Sequence, residues 1–338
     1  MKIAVDAMGG DRAPEVIIQG AIDAVHEFDL PIILVGNQEI LEKELARIRA
    51  PHRFIEIHHC SQVVGMDDDP IDVIRKKKDA SVRVAFELVK NGVADAAVSA
   101  GNSGATLAAG TVVLGRMAGV ERPGIAGIFP TLKGRTVIID IGANVDCKPS
   151  FLYHFGIMAA AYAQEALKIP NPKVGLLSIG EEDSKGNDLV RRTHDLLKSA
   201  PLNFIGNVEG RDVFTGAADV IVCDGFVGNV VLKLSEGAVE AIGFMLREEL
   251  KAGWLSRIGA WLSLGAYKRF RRKVDYAEFG GAPLLGIKGV GIISHGGSSP
   301  KAIKNAIGTA AGMIQADLTN RLQERLRQLG HPPSRSDT

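Results

Sequence analysis

The sequence predicts a three-layer α/β/α fold, in which helices cover both faces of a Rossmann-like, mostly parallel sheet. Short apolar runs alternate with helical segments along most of the chain. Several of these runs are continuous rather than alternating, which is typical of strands buried on both faces. Glycine-rich turns follow many of the runs, and the 39 glycines exceed the average usage of about 7%. Strand, turn and helix in this repeating order indicate a doubly wound sheet.

Apolar runs rich in Val, Ile and Leu predict the strands. In chain order they lie at 2–7, 31–35, 54–58, 94–100, 125–129, 137–141, 174–179, 204–208, 220–224 and 291–294. Apolar residues that recur at helical spacing predict the helices. In the same order these lie at 14–27, 38–49, 71–90, 105–114, 151–167, 189–198, 230–250 and 300–329. The first helix has Pro14 in its first turn, where proline is tolerated.

The chain shows no internal repeat and no low-complexity segment. We therefore expect a single α/β/α catalytic domain over 1–330. A basic segment within 245–280 interrupts the alternation of strands and helices, and it predicts a helical arm. The tail 331–338 is polar, contains two prolines and is expected to be disordered.

Composition narrows the range of functions. The 40 basic and 39 acidic residues give a net charge of +1, which argues against a nucleic-acid-binding protein. The three cysteines are odd in number and form no Cys-x-x-Cys pair, so neither a disulfide framework nor a zinc site is predicted. The first residues do not resemble a signal peptide, and no apolar run reaches the roughly 18 residues of a membrane span. We expect a cytoplasmic protein that uses no metal or other cofactor.

Glycine-rich turns at the strand ends are the most informative pattern. Most of them lead directly into a helix, where free backbone N–H groups and the helix dipole attract anions. Glycine also lets the backbone approach a bound group closely. In an open parallel sheet such turns gather at the carboxyl edge of the strands, so we expect an anion-binding cleft there. The turns lie at 6–11, 99–105, 140–144, 178–187, 223–229 and 294–299.

Common nucleotide-binding motifs do not explain these turns. The sequence contains no Gly-Lys pair and no full G-x-G-x-x-G after a strand, so neither the P-loop nor the dinucleotide fingerprint matches. The segment 101–105, GNSGA, nearly matches the nucleophile elbow G-x-S-x-G. Ser103 is therefore either an acylated nucleophile with His295 or His154 as its base, or a helix N-cap or phosphate ligand. We favour the second interpretation, because the fifth position is Ala and no Ser/His/Asp order is evident.

Long blocks of sequence carry a resemblance to a known family. They include DAMGGD, VSAGNSGAT, VIIDIGANVDCKP, GEEDSKGN, CDGFVGN and SHGGS, and they span most of the chain. On these blocks the chain resembles the bacterial phosphate acyltransferase family known as PlsX. The resemblance implies transfer of a long-chain fatty acyl group from acyl-[acyl carrier protein] to inorganic phosphate, which gives acyl phosphate for phospholipid synthesis. It also implies a fold similar to isopropylmalate dehydrogenases and phosphotransacetylases, a homodimer, and a downstream membrane glycerol-3-phosphate acyltransferase.

Other functions stay open at this point. The general layout also permits a metal- and NAD-dependent dehydrogenase of the isopropylmalate type, although the sequence has no clear acidic metal cluster. A non-catalytic scaffold associated with the membrane would leave the polar turns dispensable. Use of acyl-coenzyme A as the donor is chemically adjacent to use of the carrier protein.

Attack of phosphate on a thioester needs an anion site, donors for the developing oxyanion and a cation. Phosphate is already nucleophilic, so no covalent intermediate with the protein is required. The candidate phosphate ligands are Gly101, Asn102, Ser103, Gly104 and Asn187. The candidate catalytic residues are a cation in a glycine-rich turn, a donor at a helix start and an acid for the leaving thiolate, namely Lys185, Asn229 and His295.

Acidic residues near these turns have two interpretations. A run before Pro70 either binds a metal or caps a helix, and we favour the cap: Asp67, Asp68 and Asp69. Three further acids end strands, where they either position lysines or close turns: Asp6, Asp140 and Asp224.

Two basic segments suggest binding surfaces. The cluster Arg75, Lys76 and Lys77 is either a solvated helix face or a docking patch for an acidic carrier protein. The segment 254–273 contains both tryptophans and six basic residues but no acid. We expect its apolar face to lie on the inner surface of the cell membrane, on the arm of a partner subunit, or on both. The residues of this face are Trp254, Leu255, Ile258, Trp261 and Leu262.

Overall fold

The computed structural model describes residues 1–48, 54–65, 67–70, 75–274 and 280–329. Within these ranges an eleven-stranded sheet has the order β3-β2-β1-β4-β11-β10-β5-β6-β9-β7-β8. Its strands are β1 (Ile3–Asp6), β2 (Ile32–Gly36), β3 (Ile55–His59), β4 (Ala96–Ser99), β5 (Gly124–Thr131), β6 (Gly134–Ile139), β7 (Lys173–Leu177), β8 (Asn203–Val208), β9 (Val220–Val222), β10 (Ala282–Leu285) and β11 (Val290–Ile293).

The helices fill the connections between these strands. They are α1 (Glu15–Phe28), α2 (Gln38–Ile48), α3 (Ser81–Lys90), α4 (Ser103–Ala109), α5 (Pro149–Glu165), α6 (Asp188–Ser199), α7 (Asp212–Thr215), α8 (Gly225–Lys251), α9 (Trp254–Leu262), α10 (Leu264–Val274), α11 (Pro300–Gln315) and α12 (Leu318–Leu329). Helix α4 continues as one π-helical turn, Gly110–Leu114.

Side chains from the two faces of the sheet form two separate cores. Along β1, Ile3 and Val5 belong to one core, whereas Ala4 belongs to the other. The first core is covered mainly by α1, α5 and α11, and the second by α3 and α4. This alternation between two buried faces explains the continuous apolar runs. The predicted three-layer α/β/α fold with a mostly parallel sheet is confirmed.

Two strands reverse the direction of the sheet. β10 pairs antiparallel with both β11 and β5, and β5 pairs antiparallel with β6. The strands on either side of these pairs are parallel within their own group. As a result β1, β4 and β11 point one way, and β6, β9 and β7 point the other way.

Two predicted helices are interrupted in the structure. The helix predicted at 71–90 is helical at 75–76 but is interrupted at 77–80, and α3 begins at Ser81. In the interruption the Asp79 carboxylate accepts hydrogen bonds at 2.6 Å from both the N–H and the Oγ of Ser61. Residues 71–74 of that prediction lie outside the described residues. The helix predicted at 300–329 is divided between α11 and α12, where Asp317 has a φ of 50°.

The helical arm contains α9 and α10, joined at Ser263. Helix α8, which leads to the arm, begins at Gly225, earlier than predicted, because Asp224 Oδ1 accepts the N–H of Val227 at 2.9 Å and caps the helix. The predicted disordered tail lies outside the described residues. Within the ranges that the structure describes, no helix combines the length and the apolar character needed to cross a membrane.

Candidate functional site

The six glycine-rich turns fall into two clusters, which follow two groups of strands that run in opposite directions. The first turn cluster follows β1, β4 and β11 and comprises residues 6–11, 99–105 and 294–299. The second turn cluster follows β6, β7 and β9 and comprises residues 140–144, 178–187 and 223–229. The six turns therefore do not lie at a single carboxyl edge of parallel strands, as the sequence predicts. The physical reason is the reversal of strand direction at β10 and β5.

The buried carboxylate of Asp6 holds the first turn cluster together. Its Oδ2 accepts the Ser99 hydroxyl at 2.7 Å, and its Oδ1 accepts the N–H of Met8 at 3.2 Å. The Ser99 Oγ in turn accepts the N–H of Gly101 at 3.1 Å. Burial raises the pKa of the Asp6 carboxyl, while these hydrogen bonds act in the opposite direction. Of the two interpretations of Asp6, the structure supports the one in which it closes turns.

Backbone segments approach each other closely inside the first turn cluster. The N–H of Asp11 donates to the carbonyl of Gly296 at 3.0 Å. A Cβ atom on Gly9 would lie 2.8 Å from the nitrogen of Gly101, so this position has no room for a side chain. Gly10 has a φ of 114°, which favours glycine. Glycine is thus required here for both space and conformation.

The predicted phosphate ligands Gly101 to Gly104 form the β4–α4 turn of the first cluster. Asn102, and not Ser103, is the N-cap of α4, because its Oδ1 accepts the N–H of Ala105 at 3.0 Å. Ser103 is the first helical residue, and its side chain is exposed. The N–H groups in the first turn of α4 have no acceptor within the helix. The turn therefore presents backbone donors and one hydroxyl to solvent.

The structure does not join Ser103 to a base. His154 is buried in α5, which covers the opposite face of the sheet from α4, so it is not the base of Ser103. The His295 ring makes other contacts: its Nδ1 accepts the N–H of Gly297 at 3.1 Å, and its Nε2 lies 3.4 Å from Lys233 Nζ. The arrangement favours a phosphate ligand over an acylated serine.

Asp140 has the corresponding structural role in the second turn cluster. Its carboxylate accepts the N–H groups of Gly142, Ala143 and Asn144 at 3.2, 2.9 and 2.7 Å, and the Asn144 side-chain amide at 2.8 Å. Burial raises the pKa of this carboxyl against the effect of these donors. The N–H of Gly225 donates to the carbonyl of Asn144 at 2.7 Å and fixes the start of α8.

The second turn cluster contains three of the predicted site residues. Asn187 caps α6, since its Oδ1 accepts the N–H of Val190 at 2.9 Å. Lys185 is exposed, and its methylene groups lie against Gly180. Asn229 is exposed in the first turns of α8, beside Gly142. Lys185, Asn187 and Asn229 thus belong to the turns after β7 and β9, whereas Gly101–Gly104 and His295 belong to the turns after β4 and β11.

Sequence reasoning missed Lys233. Helix α8 begins in the second turn cluster and brings Lys233 to the first, where its Nζ lies near His295. The same ammonium group donates to Glu236 Oε2 at 2.9 Å. The available signal was weak: a lysine in a largely apolar helical stretch, four residues after Asn229 and hence on the same helix face.

The acidic run and the basic cluster form one small loop network. Asp68 accepts the N–H of Gly65 and the ammonium group of Lys77, both at 2.8 Å, and its pKa is lowered mainly by the hydrogen bond from Lys77. Lys77 also donates to the carbonyl of Val63 at 2.9 Å. Arg75 and Lys76 are exposed. Across the described residues, no group of three or more His, Cys, Asp or Glu side chains is placed to hold a metal ion.

The cysteines are poor candidates for nucleophiles. Cys60 and Cys223 are buried, and Cys147 is partly buried. Desolvation raises the pKa of Cys60 and of Cys147 to about 12. Because the thiolate is the reactive form, these thiols are inert at neutral pH.

Helix α9 exposes the predicted apolar face of the arm. Trp254, Trp261 and Leu262 are 71%, 69% and 72% exposed, and Leu255 and Ile258 are exposed as well. Helix α8 also has exposed apolar side chains, including Leu234, Ile242 and Phe244. Several exposed large apolar side chains on neighbouring helices are typical of a binding surface for a protein or a membrane.

Comparisons with known proteins agree with this architecture. The family model described as "Fatty acid synthesis protein" matches residues 1–321. The phosphate acyltransferase of Trichlorobacter lovleyi is 56% identical over 328 residues, which cover 97% of this chain and 95% of that protein. The phosphate acyltransferase of Citrifermentans bemidjiense is also 56% identical, over 97% of this chain and 93% of its own. A phosphotransacetylase from Streptococcus pyogenes shares the fold, with a TM-score of 0.63 at 19% identity over 94% of both chains. The chain therefore belongs to the phosphate acyltransferase family of fatty acid synthesis proteins.

Proposed function

We propose that the chain, an acyltransferase by family, transfers a long-chain fatty acyl group from acyl-[acyl carrier protein] to inorganic phosphate. The product is acyl phosphate, which serves phospholipid synthesis. The observation that carries this proposal is the first turn cluster, where three glycine-rich turns meet and the start of α4 offers backbone N–H groups beside the exposed Ser103. Such a turn suits a phosphate group, which needs several donors and close approach of the backbone.

The reaction needs no covalent intermediate on the protein. A phosphate oxygen attacks the carbonyl carbon of the thioester, so that a C–O bond forms and the carbonyl oxygen becomes an oxyanion. The C–S bond then breaks, and the sulfur leaves with the electron pair as the thiolate of the carrier. The exposed Ser103 without a base and the inert thiols of Cys60 and Cys147 are consistent with direct attack.

Three side chains are proposed as catalytic donors: Lys185, Asn229 and His295. His295 belongs to the first turn cluster, and its ring N–H would donate a hydrogen bond to the phosphate or to the leaving sulfur. Asn229 and Lys185 belong to the second, and Asn187 beside them would offer its amide group to phosphate. Asn229 and Lys233 lie one turn apart on the same face of α8, so donors of the two clusters would act on one thioester and one phosphate.

The acidic carrier protein is proposed to dock on the basic cluster Arg75, Lys76 and Lys77. Arg75 and Lys76 are exposed, and exposed charges contribute to long-range attraction. Lys77 is held by Asp68 and would contribute by fixing the loop.

The arm is proposed to bind both a second copy of the chain and the membrane. The exposed apolar side chains of α8 suit a homodimer, and the aromatic face of α9 with nearby Arg257 suits an anionic membrane surface. Peripheral attachment at the inner face of the cell membrane would bring the acyl phosphate to a membrane glycerol-3-phosphate acyltransferase.

The test is release of free carrier protein from palmitoyl-[acyl carrier protein] in the presence and absence of inorganic phosphate. We expect release only with phosphate, and none with sulfate, which has a similar shape but forms no stable product. Palmitoyl-coenzyme A in a parallel reaction identifies the preferred donor. No phosphate-dependent release from either donor by the folded protein would contradict the proposal.

A further inference from the structure

We propose that Lys233 is the cation of the phosphate site, and that Lys233 and His295 together bind the phosphate oxyanion beside the β4–α4 turn. This inference rests on the proposed function, because it takes phosphate as the acceptor. Neither the family blocks nor the six turns include Lys233. These two side chains form the Lys233–His295 pair.

The hydrogen bonds of His295 determine which ring nitrogen carries the proton. The N–H of Gly297 donates to Nδ1 at 3.1 Å, so Nδ1 supplies a lone pair. A neutral imidazole then carries its proton on Nε2. The Nε2–H group therefore points toward Lys233 Nζ, 3.4 Å away.

Two donors that face each other cannot bond to each other. The ammonium group of Lys233 has no lone pair, and Nε2 carries a proton, so the contact of 3.4 Å is not a hydrogen bond between them. An oxyanion placed beside both atoms would accept from both. Hydrogen bonds from a charged donor to an oxyanion are among the stronger ones in proteins. The geometry thus has the form of an anion site with a backbone-oriented imidazole and a cation.

The position of the pair fits the phosphate candidate. The N–H of Ser294 donates to the carbonyl of Ser99 at 2.8 Å, so the turn that carries His295 runs directly beside the turn that carries Gly101. Neighbouring strands lie about 4.8 Å apart. An anion held by Gly101–Gly104 is therefore within reach of the long Lys233 side chain. The predicted cation, Lys185, lies in the second turn cluster.

Charged neighbours affect how strongly Lys233 and His295 bind an anion. Glu236 accepts from Lys233 Nζ at 2.9 Å and competes with an incoming anion. The Asp11 carboxylate is a second negative group nearby, since its Oδ2 and the Nδ1 of His295 both lie close to Gly297. Arg12 adds positive charge nearby, since its guanidinium donates to the carbonyl of Ser298 at 3.1 Å. Lys233 is 52% exposed and Glu236 is 23% exposed, so phosphate reaches the ammonium group from solvent and partly displaces the carboxylate.

The simpler alternative is a surface ion pair between Lys233 and Glu236, of the i,i+3 type that contributes little to stability. That alternative explains the contact with Glu236 but requires nothing of His295. It predicts no effect of Lys233 on phosphate binding.

The experiment compares the wild type with Lys233→Gln, Lys233→Arg, Glu236→Gln and Lys2→Gln. Lys2 is the matched control, because it is also paired with a glutamate at 2.9 Å but precedes β1, at the opposite end of that strand from the first turn cluster. Two quantities are measured for each protein: the KM for phosphate in acyl transfer, and the rise in Tm on addition of inorganic phosphate. The second quantity needs no turnover.

We expect Lys233→Gln to raise the KM for phosphate about tenfold to a hundredfold and to abolish the phosphate-dependent rise in Tm. Lys233→Arg should keep the KM for phosphate closer to that of the wild type and retain part of the phosphate-dependent rise in Tm. Glu236→Gln should lower the KM for phosphate and increase the rise in Tm, because the competing carboxylate is gone. Lys2→Gln should behave as the wild type. The KM for the acyl donor should change far less than the KM for phosphate.

An unchanged phosphate KM and an unchanged rise in Tm in Lys233→Gln would overturn the inference. If Lys233→Gln does not fold, Glu236→Gln decides in its place, and no change in either quantity overturns the inference. If the wild type transfers no acyl group, the proposed function fails, while the Tm comparison still decides whether Lys233 binds phosphate.

Discussion

The side chains of Lys233 and His295 meet at 3.4 Å although 62 positions separate them in the chain. Lys233 belongs to α8, which starts in the second turn cluster, and His295 belongs to the first. Helix α8 is therefore the element that connects the two groups of turns. Substitutions at either end of this connection should affect the proposed reaction differently.

Asn102→Asp should separate capping from phosphate binding. Aspartate keeps the acceptor that caps α4, so the free energy of unfolding should change by less than about 1 kcal/mol. Its negative charge would repel phosphate, and we expect the KM for phosphate to rise at least about tenfold. Asn187→Asp makes the same change at the cap of α6. A larger effect at Asn187 than at Asn102 would place the phosphate in the second turn cluster and contradict the assignment to the first.

Gly9→Ala should destabilise the first turn cluster. The added Cβ would lie 2.8 Å from the nitrogen of Gly101, and we expect a loss of about 1–3 kcal/mol in the free energy of unfolding together with reduced acyl transfer. Gly312→Ala is the control, because no atom lies within 4 Å of its added Cβ and alanine favours helices by about 0.5–1 kcal/mol. Urea unfolding measures the free energy of unfolding of both variants. Equal stability of the two variants would disprove close packing at Gly9.

The pH dependence of stability should report on Asp6. Burial raises the pKa of Asp6 in the folded chain above the ordinary value of 3.8, so the folded state holds the proton more tightly than the unfolded state. This contribution to stability is full below 3.8 and is lost as the pH rises through the raised folded pKa. The variant Asp6→Asn has an amide in place of the carboxyl, so nothing titrates at this position. The stability of the wild type relative to Asp6→Asn should therefore fall with rising pH, measured by urea unfolding across that window. A constant difference, or one of opposite sign, would contradict the prediction.

Replacing Trp261 and Leu262 by Glu should abolish binding to anionic liposomes. The substitutions place two negative charges on the most exposed apolar face of α9. Activity on soluble acyl-[acyl carrier protein] should be kept, because the arm lies away from both turn clusters in the chain. Leu132→Glu is the control, since Leu132 is 89% exposed at the β5–β6 turn. Unchanged flotation of the double variant with anionic liposomes would refute the membrane surface, and a shift to monomer in light scattering would assign this face to the dimer.

Charge reversal of Arg75 and Lys76 should weaken docking of the carrier protein. We expect a higher KM for acyl-[acyl carrier protein] and a weaker dependence of the rate on salt, because exposed charges act mainly on encounter. The KM for phosphate should stay the same. Lys77 is left unchanged, since its ion pair with Asp68 supports the loop. An unchanged salt dependence would rule out docking on these residues.

Much of the fold could be predicted from local patterns. Apolar runs place most strands within a few residues, because burial on both faces leaves a signal in the sequence itself. β10 was missed because it is only four residues long and contains Pro283, which weakens a strand pattern. The prediction of one continuous helix over 71–90 was wrong, because hydrogen bonds between Asp79 and the distant Ser61 accompany a non-helical turn at 77–80.

The candidate site could be predicted only in part. The turn 101–104 and His295 could be predicted as candidates because glycine and polar residues at a strand end are visible locally. The two-cluster arrangement was missed, because strand direction depends on the non-local pairing of β5 with β10 and β6. Lys233 was missed for the same reason: its position beside His295 depends on where α8 crosses the sheet.

The most direct test of the central claim is to identify the product. Palmitoyl-[acyl carrier protein] is incubated with the protein and phosphate, and hydroxylamine then traps acyl phosphate as the hydroxamate, while free carrier thiol is counted in parallel. The proposed reaction predicts one hydroxamate for each thiol released, and none when phosphate is omitted. Thiol release that yields free palmitate instead of acyl phosphate, at a rate independent of phosphate, would contradict it.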